Sequence, residues 1–433
     1  MSKLVFIETM GCAMNEHDSE RMLAELRAKE GYAPTNDPTL ADLILINTCS
    51  VREKPERKLF SEIGQYSKLR KDGAKIGICG CSASHMGAEI LRKAPAVSFV
   101  LGARNIAQIA HIIHRDKAVE TDIGEDNSHY AFAALESPSK LRASINISIG
   151  CDKKCAYCIV PHTRGKEISI PLDIILAQAQ RAIDGGAKEI LLLGQNVNSY
   201  GKTFSSAHPK VDFTKLLAEL AKIPNMGRIR FTSPHPLHMD DAFLDEFARN
   251  DKVCKSIHMP LQSGSTKILK LMRRGYSQEW FLERAKRLRA MIPSLTIGTD
   301  IIVGFPRESE EDFLQTMHVL EEVRFDTMYS FIYSPRPHTE AAQWDNDVPH
   351  SVASERLARL QERQKEIMDA NNQREIGSTC ETLWEIPRED GLMEGRSDNA
   401  KIVRAPLKPE LIGQISAARI LDSRRTYLIG EAL

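Results

Sequence analysis

Cys151-Asp152-Lys153-Lys154-Cys155-Ala156-Tyr157-Cys158 sets three thiols within eight residues. In the segment before it, Ala143 to Ile149, Ile145, Ile147 and Ile149 alternate with Asn146 and Ser148, the period-two pattern of a strand, and Gly150 ends it. The cysteines are therefore expected on a loop at a strand's carboxyl end, the edge where parallel α/β sheets and barrels collect their active sites. Three thiols this close on a polar loop point to a shared metal rather than to three core residues. A four-iron cluster normally takes four cysteines, so Cys151, Cys155 and Cys158 would hold three irons and leave the fourth for a substrate. A closed zinc site of the Cys3His kind is the competing reading, because His162 lies four residues after Cys158.

Working outward, a chain of 433 residues is long enough for two or three domains. Its 42% hydrophobic and 27% charged content is that of a globular protein, and no apolar run reaches the length of a membrane span. The first residues, Met1 to Ile7, break at Glu8, too soon for a signal-peptide core, and read as a first strand, so a cytoplasmic protein is expected. Nine cysteines, odd in number and clustered, suit metal ligation better than disulfides. With 58 acids against 58 bases, composition gives no nucleic-acid footprint, and an RNA partner must be argued from motifs.

Residues 3 to 116 read as repeated strand-then-helix units, which predict a doubly wound parallel sheet. The strand Leu4 to Glu8 precedes a helix near Ser19 to Lys29, and Leu43 to Asn47 one near Glu53 to Leu69. Lys75 to Ile78 precedes a helix near Ala83 to Lys93, and Phe99 to Leu101 one near Asn105 to His114. Cys12, Cys49 and Cys81 each follow a strand end, and parallel strands end on one edge, so these three can converge on a second three-thiol site. Cys79, Cys254 and Cys380 are expected in cores. A polar segment, 119–140, with Asp122, Glu125, Asp126 and Glu136-Ser137-Pro138-Ser139, reads as a linker between a first domain, 1–118, and a second, 141–372.

In that second domain the strands Ile190 to Leu193, Ile229 to Phe231, Ser256 to Met259, Thr296 to Val303 and Met328 to Tyr333 alternate with helices, one from about Leu172 to Ile183. Ser309 with Asp312 is expected to cap a helix opening near Glu310. A long helix from about Ser351 to Glu375 carries mixed charges such as Arg363, Lys365 and Glu366, most simply a solvated face. The last stretch, 375–433, changes to short alternating runs divided by glycine and proline, a small all-β barrel.

The C-x3-C-x2-C loop with Tyr157 before its last cysteine resembles the radical S-adenosylmethionine (SAM) superfamily. Ile159-Val160-Pro161-His162-Thr163-Arg164-Gly165 resembles its methylthiotransferase branch, with His162 where that branch carries tyrosine. Gly11-Cys12-Ala13-Met14-Asn15, Asn47-Thr48-Cys49-Ser50-Val51-Arg52 and Gly80-Cys81-Ser82-Ala83 resemble the amino-terminal methylthiotransferase domain, Cys81 and not Cys79 being the match. Gly395-Arg396-Ser397-Asp398-Asn399 and Leu411-Ile412-Gly413-Gln414 resemble the RNA-binding TRAM module.

The resemblance implies a central partial (β/α)6 barrel and two 4Fe-4S clusters. One, on Cys151, Cys155 and Cys158, would take SAM; the auxiliary one, on Cys12, Cys49 and Cys81, would handle the inserted sulfur. One SAM would donate the methyl group and another would be the radical source for methylthiolation of an unactivated C–H bond. Tyr157, Gln195, Gln262 and Asp300 are the expected SAM contacts. Arg396, Arg424 and Arg425 are the expected RNA contacts in a module where residues 376–433 hold eight basic residues against nine acids. Gln195-Asn196-Val197-Asn198-Ser199-Tyr200, Thr163-Arg164-Gly165 and Phe231-Thr232-Ser233-Pro234-His235-Pro236 resemble members that act on N6-isopentenyladenosine beside the tRNA anticodon. Sister branches act on a ribosomal-protein aspartate or on threonylcarbamoyladenosine in tRNA. A monomer is expected, with an electron donor such as a flavodoxin; no further catalytic residue is assigned. The alternative from another class, a non-catalytic zinc-dependent RNA-binding protein using Cys151, Cys155, Cys158 and His162, leaves Cys12, Cys49 and Cys81 without a role.

Overall fold

Leu43, Ile44, Leu45 and Ile46 are all buried, which a strand achieves only with a layer on each face. The computed structural model, which describes residues 3–50, 53–123, 141–204 and 211–433, supplies both layers. Most of the expected linker, 124–140, and the motif residues Val51 and Arg52 lie outside the described residues. The amino-terminal sheet contains β1 (Leu4–Met10), β2 (Ala33–Pro34), β3 (Leu43–Thr48), β4 (Lys75–Gly80), β5 (Phe99–Gly102) and β6 (Ala118–Glu120), all parallel, in the order β2-β1-β3-β4-β5-β6. Met22, Leu26, Ile106 and Ile109 cover one face with Leu43 and Leu45, while Leu59, Ile63, Ala83 and Ile90 cover the other with Ile44 and Ile46. The strand order reverses between β1 and β3, so Cys12 and Cys49 flank the switch-point crevice in which doubly wound sheets bind their ligands.

Several local expectations are corrected. The first helix is Ala13–Glu30 and starts directly at Cys12, its N-cap, because Asn15 closes a capping box there. The single helix expected near Ala83 to Lys93 is two, Cys81–Met86 and Ala88–Lys93, broken at Gly87, whose φ is 49°. The helix near Asn105 to His114 shrinks to a 3-10 turn, Ile106–Gln108, and Ile109–Ile112. The strand expected over Ala143 to Ile149 breaks at Ile147, and its polar alternates Asn146 and Ser148 are buried as well.

The central domain places β7 (Arg142–Asn146), then a small antiparallel pair of β8 (Ser148–Ile149) and β9 (Ile168–Ser169). Its wall continues with β10 (Glu189–Leu193), β11 (Arg228–Phe231), β12 (Ser256–His258), β13 (Thr296–Val303) and β14 (Thr327–Ile332). The ladders β7-β10-β11 and β12-β13-β14 are parallel, and a parallel bridge from Ile229 to Val253 joins them into one curved six-stranded wall. Residues pointing outward from it pack against the surrounding helices in the largest core; there Phe213, Phe231, Phe243 and Phe247 bring ring centroids to 5.2–6.0 Å, worth about 0.5–1.5 kcal/mol per pair beyond burial. Ser309 and Asp312 form the expected capping box. The helix His350–Arg374 is more than a solvated face: Arg356, Leu360, Gln364 and Ile367 are buried, and Arg356 pairs with Glu308 at 2.9 Å.

The carboxyl-terminal module closes into a five-stranded barrel of β15 (Thr379–Pro387), β16 (Leu392–Ser397), β17 (Ile402–Pro406), β18 (Ile415–Ser423) and β19 (Leu428–Ala432), with Trp384 fully buried in its core. It docks under the amino ends of the central strands. Arg142 pairs with Glu385 at 2.8 Å, Arg228 donates to the Arg396 carbonyl at 2.9 Å, and Thr296 donates to the Asn399 carbonyl at 2.6 Å. Among the described residues no helix is long and apolar enough to cross a membrane.

Candidate active site

Gly150 makes the turn from β8 into the cysteine loop at φ 79°, and a Cβ there would stand 2.2 Å from the Lys166 carbonyl oxygen. Its N–H donates to Gln195 Oε1 at 2.6 Å, and the next N–H, of Cys151, donates to the Gly165 carbonyl at 3.1 Å. Farther along, the Ala156 N–H donates to the Met272 carbonyl at 3.1 Å, and Tyr157 sets its ring edge-on to Phe305. The loop is thus held at its start by the Gln195 side chain and the Gly165 carbonyl and farther along by the Met272 carbonyl. Gly150→Ala is expected to displace it and remove most of the iron bound by the Cys151 triad, read as iron per chain after anaerobic reconstitution; full iron in that variant would show the turn to be tolerant.

Burial, with negative charge on Cys155 adding to it, pushes the Cys151 thiol up to about 11 and that of Cys158 up to about 12. Two buried thiols raised in this way need a cation to draw off their protons. Arg274 places Nη1 3.5 Å from Cys155 Sγ while donating through Nη2 to the Pro260 carbonyl at 2.9 Å. Three thiolates, an adjacent guanidinium and no fourth cysteine fit a cluster with one open iron. His162 instead packs against His338, ring centroids 5.9 Å apart; burial and that histidine hold its pKa below the ordinary value. Among the described residues no three His, Cys, Asp or Glu side chains are grouped as ligands of a single ion.

The second triad sits on the carboxyl edge of the amino-terminal sheet. A hydrogen bond shared with Cys49 brings the Cys12 thiol down to about 6 against the opposing pull of burial, and Arg164 assists. Asn15 Oδ1 accepts from the Cys12 N–H at 3.2 Å, Asn15 Nδ2 donates to Asn47 Oδ1 at 3.3 Å, and Asn47 Nδ2 donates to the Asn15 carbonyl at 2.8 Å. This buried lattice fixes the ends of β1 and β3. Gly80, at φ 90°, passes so close to it that a Cβ would lie 2.3 Å from Asn47 Oδ1.

The helix Val160–Arg164, which follows the cysteine loop, packs on Cys81–Met86 of the first domain. Arg164 Nη2 donates to Asp18 Oδ2 at 2.6 Å, with both side chains buried. Burial pulls the Arg164 pKa down, but the charges of Asp18, Cys81 and Cys12 outweigh it and hold the guanidinium well above its ordinary value. Arg104 crosses back, donating to the Arg164 and Lys166 carbonyls at 2.7 and 3.0 Å. The helix that follows the cysteine loop thus brings Arg164 up to Cys12 and Cys81 of the first domain. Sequence reasoning quoted Arg164 within a motif without giving it a role, and it passed over Asp18, Arg104 and Arg274.

The other candidates fall into two groups. Gln195 braces the cysteine loop as described; its Nε2, both amide atoms of Asn146, Ser148 Oγ and Asn196 Oδ1 are buried without a hydrogen-bond partner at the carboxyl ends of β7 and β10. Buried polar atoms left unpaired in this number mark a polar ligand's place. Gln262 is buried at φ 72°, its backbone bridging to Asp300 and Ile302, and Asp300 itself bonds His258. The three arginines expected to contact RNA have intramolecular surroundings of their own. Arg396 turns under the central barrel, where burial and the nearby Arg142 and Arg230 lower its pKa. Arg424 pairs with Asp422 at 2.6 Å, and Arg425 with Asp369 of the long helix at 2.8 Å.

Residues 4–102 match the model of the uncharacterized protein family UPF0004, and residues 145–320 that of the radical SAM superfamily. A Wolinella succinogenes tRNA-2-methylthio-N(6)-dimethylallyladenosine synthase is 66% identical over 434 residues, covering 100% of both chains. The protein of the same name from Helicobacter pylori strain P12 is 63% identical over 98% of each chain, and that of Helicobacter acinonychis 62% identical over 93% of each. Among solved structures, the radical SAM methyltransferase TsrM from Kitasatospora setae shares the fold at a TM-score of 0.58 and 14% identity, covering 79% of this chain and 74% of that one. On full-length identity of this degree, the chain belongs to the tRNA-2-methylthio-N(6)-dimethylallyladenosine synthase family of radical SAM methylthiotransferases.

Proposed function

We propose that this chain methylthiolates C2 of N6-isopentenyladenosine next to the tRNA anticodon. The reading is carried by its full-length similarity to proteins named for that product. Cys151, Cys155 and Cys158 would hold a 4Fe-4S cluster, and Cys12, Cys49 and Cys81 an auxiliary one; the domains assigned are 1–118, 141–372 and 375–433. Bound at the first triad, such a cluster supplies the electron that splits SAM and so the radical that attacks an unactivated C–H bond.

The chain's own residues supply orientation and charge. Arg274 offsets negative charge beside Cys155, and Gln195 fixes the loop's first turn. The unpaired polar atoms of Asn146, Ser148 and Asn196 offer donors and acceptors to SAM, while Arg164 keeps a cation between the two sulfur sites. A second SAM serves as methyl donor to sulfur at the first domain's edge. A one-electron donor such as a flavodoxin and a monomeric, cytoplasmic enzyme complete the proposal.

The module 375–433 and the barrel mouth lie at opposite ends of the central strands. The eight residues of β13 separate them by about 26 Å at the usual rise, so an RNA held by both must run along the barrel's side. The test offers the anaerobically reconstituted enzyme isopentenylated tRNA, unmodified tRNA, threonylcarbamoylated tRNA and the small-subunit ribosomal protein. Methylthio product, read by mass spectrometry, is expected mainly on the first. Turnover of the ribosomal protein with the isopentenylated tRNA inert would overturn the proposal.

A further inference from the structure

Across three neighbouring strands the inward-facing residues His258 on β12, Asp300 on β13 and Tyr329 on β14 form one cluster, Asp300 and Tyr329 in register and His258 one inward position nearer the strands' amino ends. The orientation follows from strand alternation, because Ile257, Ile297, Ile301 and Val303 pack outward into the core shared with the helices. His258 Nε2 lies 2.9 Å from Asp300 Oδ2, Tyr329 is the register partner of Asp300, and its ring centroid is 6.0 Å from that of His258. Gly298 gives the imidazole its room, since a Cβ there would stand 2.9 Å from His258 Nδ1.

Among the described residues β14 is the last strand of its ladder, and this side of the barrel stays open. Tyr329 is 51% exposed, and Phe331, the partner of Ile302 one step nearer the mouth, is 36% exposed. Two aromatic rings this open on the inner face of a barrel wall are not core packing. The cluster also lies near the radical source. Pro260, two residues beyond His258, accepts from the Arg274 that touches Cys155, so His258 sits about 7 Å down its strand from that level while Asp300 and Tyr329 stand nearly abreast of it. The unpartnered polar atoms that suit SAM occupy the opposite wall, at β7 and β10.

We propose that His258, Asp300 and Tyr329 read the target purine, and that Ile302 and Phe331 receive its apolar N6 substituent. This rests on the tRNA reading above and assigns Asp300 to the substrate instead of to SAM. A purine alkylated at N6 keeps one N6–H. Asp300 Oδ1 accepts it while Oδ2 is held by His258, and Tyr329 gives the flipped base a face on which to stack. The same carboxylate, set beside N6, repels an N6 group that ends in a carboxylate, such as threonylcarbamoyl, and so selects against it.

The experiment compares reconstituted full-length wild type with Tyr329→Ala, Tyr329→Phe and Asp300→Asn. It measures affinity for isopentenylated and threonylcarbamoylated tRNA, affinity for SAM, and methylthio product formed per 5'-deoxyadenosine. Tyr329→Ala is expected to weaken isopentenylated tRNA binding roughly tenfold or more and to lower the product ratio, with Tyr329→Phe restoring both. Asp300→Asn is expected to narrow the preference for isopentenylated over threonylcarbamoylated tRNA. Loss of SAM affinity with tRNA affinity intact would give the cluster to SAM and overturn the proposal, as would variants matching wild type in every measurement. Wild type that forms no product on isopentenylated tRNA would instead defeat the parent reading, whatever the variants do.

Discussion

Replacing Cys151, Cys155 and Cys158 together by alanine is expected to abolish reductive cleavage of SAM and to remove roughly half the iron. The other half is expected on Cys12, Cys49 and Cys81, which lie on a different domain's sheet edge, beside its own Asn15–Asn47 lattice. The reciprocal variant, with those three replaced, is expected to keep SAM cleavage and lose methylthiolation. The two sets of thiols differ physically in a way that supports the division. Burial raises Cys151 and Cys158, whereas a bond to Cys49 lowers Cys12 to about 6. Circular dichroism of each variant must first match wild type, since losing a cluster also removes folding free energy. Methylthio product at the wild-type rate from the Cys12, Cys49 and Cys81 variant would make the first domain's site irrelevant to sulfur insertion. Stoichiometric zinc with no iron in anaerobically purified wild type would defeat both halves.

Much of this organisation is visible in the chain itself because its signals are local. Cysteines after successive apolar strands must emerge on one edge when the strands are parallel, so the convergence of Cys12 with Cys49 follows from order alone. The same locality serves the capping box at Ser309 and the closed barrel after residue 375. What stayed hidden depends on long-range geometry. Asp18 and Arg164 are 146 residues apart, and neither carries a pattern that names the other. Arg396 sits in a motif that suggests RNA, yet its strand faces the underside of the central barrel, a placement fixed by Arg228 and Arg230 reaching the carbonyls of 396–398. His258 reads from sequence as an ordinary structural histidine. Only the register of β13 against β12 and β14 puts it beside Asp300 and Tyr329. The helix breaks at Gly87 and the truncation near Ile112 reflect packing that overrides propensity.

The buried pair between the domains carries the other large expected effect. Asp18→Ala would leave the Arg164 guanidinium in a site that is nearly dry, with one of its nitrogens, Nη1, already lacking a partner. Breaking one side of such a pair costs about 3–5 kcal/mol, more than the pair contributes over an apolar replacement, because the remaining charge is stranded. Arg164→Met in the Asp18→Ala background is therefore expected to recover much of the loss, which a double-mutant cycle on thermal unfolding reads directly. The functional consequence is separable from stability. With the pair broken, the helix Val160–Arg164 is no longer held on Cys81–Met86, and hydrogen exchange in both helices is expected to quicken. On the proposed function, SAM cleavage would depend on the loop anchored by Gly150, Met272 and Arg274, all on the central domain, whereas sulfur insertion would need the first domain's edge brought up to it. Asp18→Ala should accordingly form 5'-deoxyadenosine with little methylthio product. If it retains wild-type stability, exchange protection and product ratio, Asp18 and Arg164 do not join the two halves of the reaction.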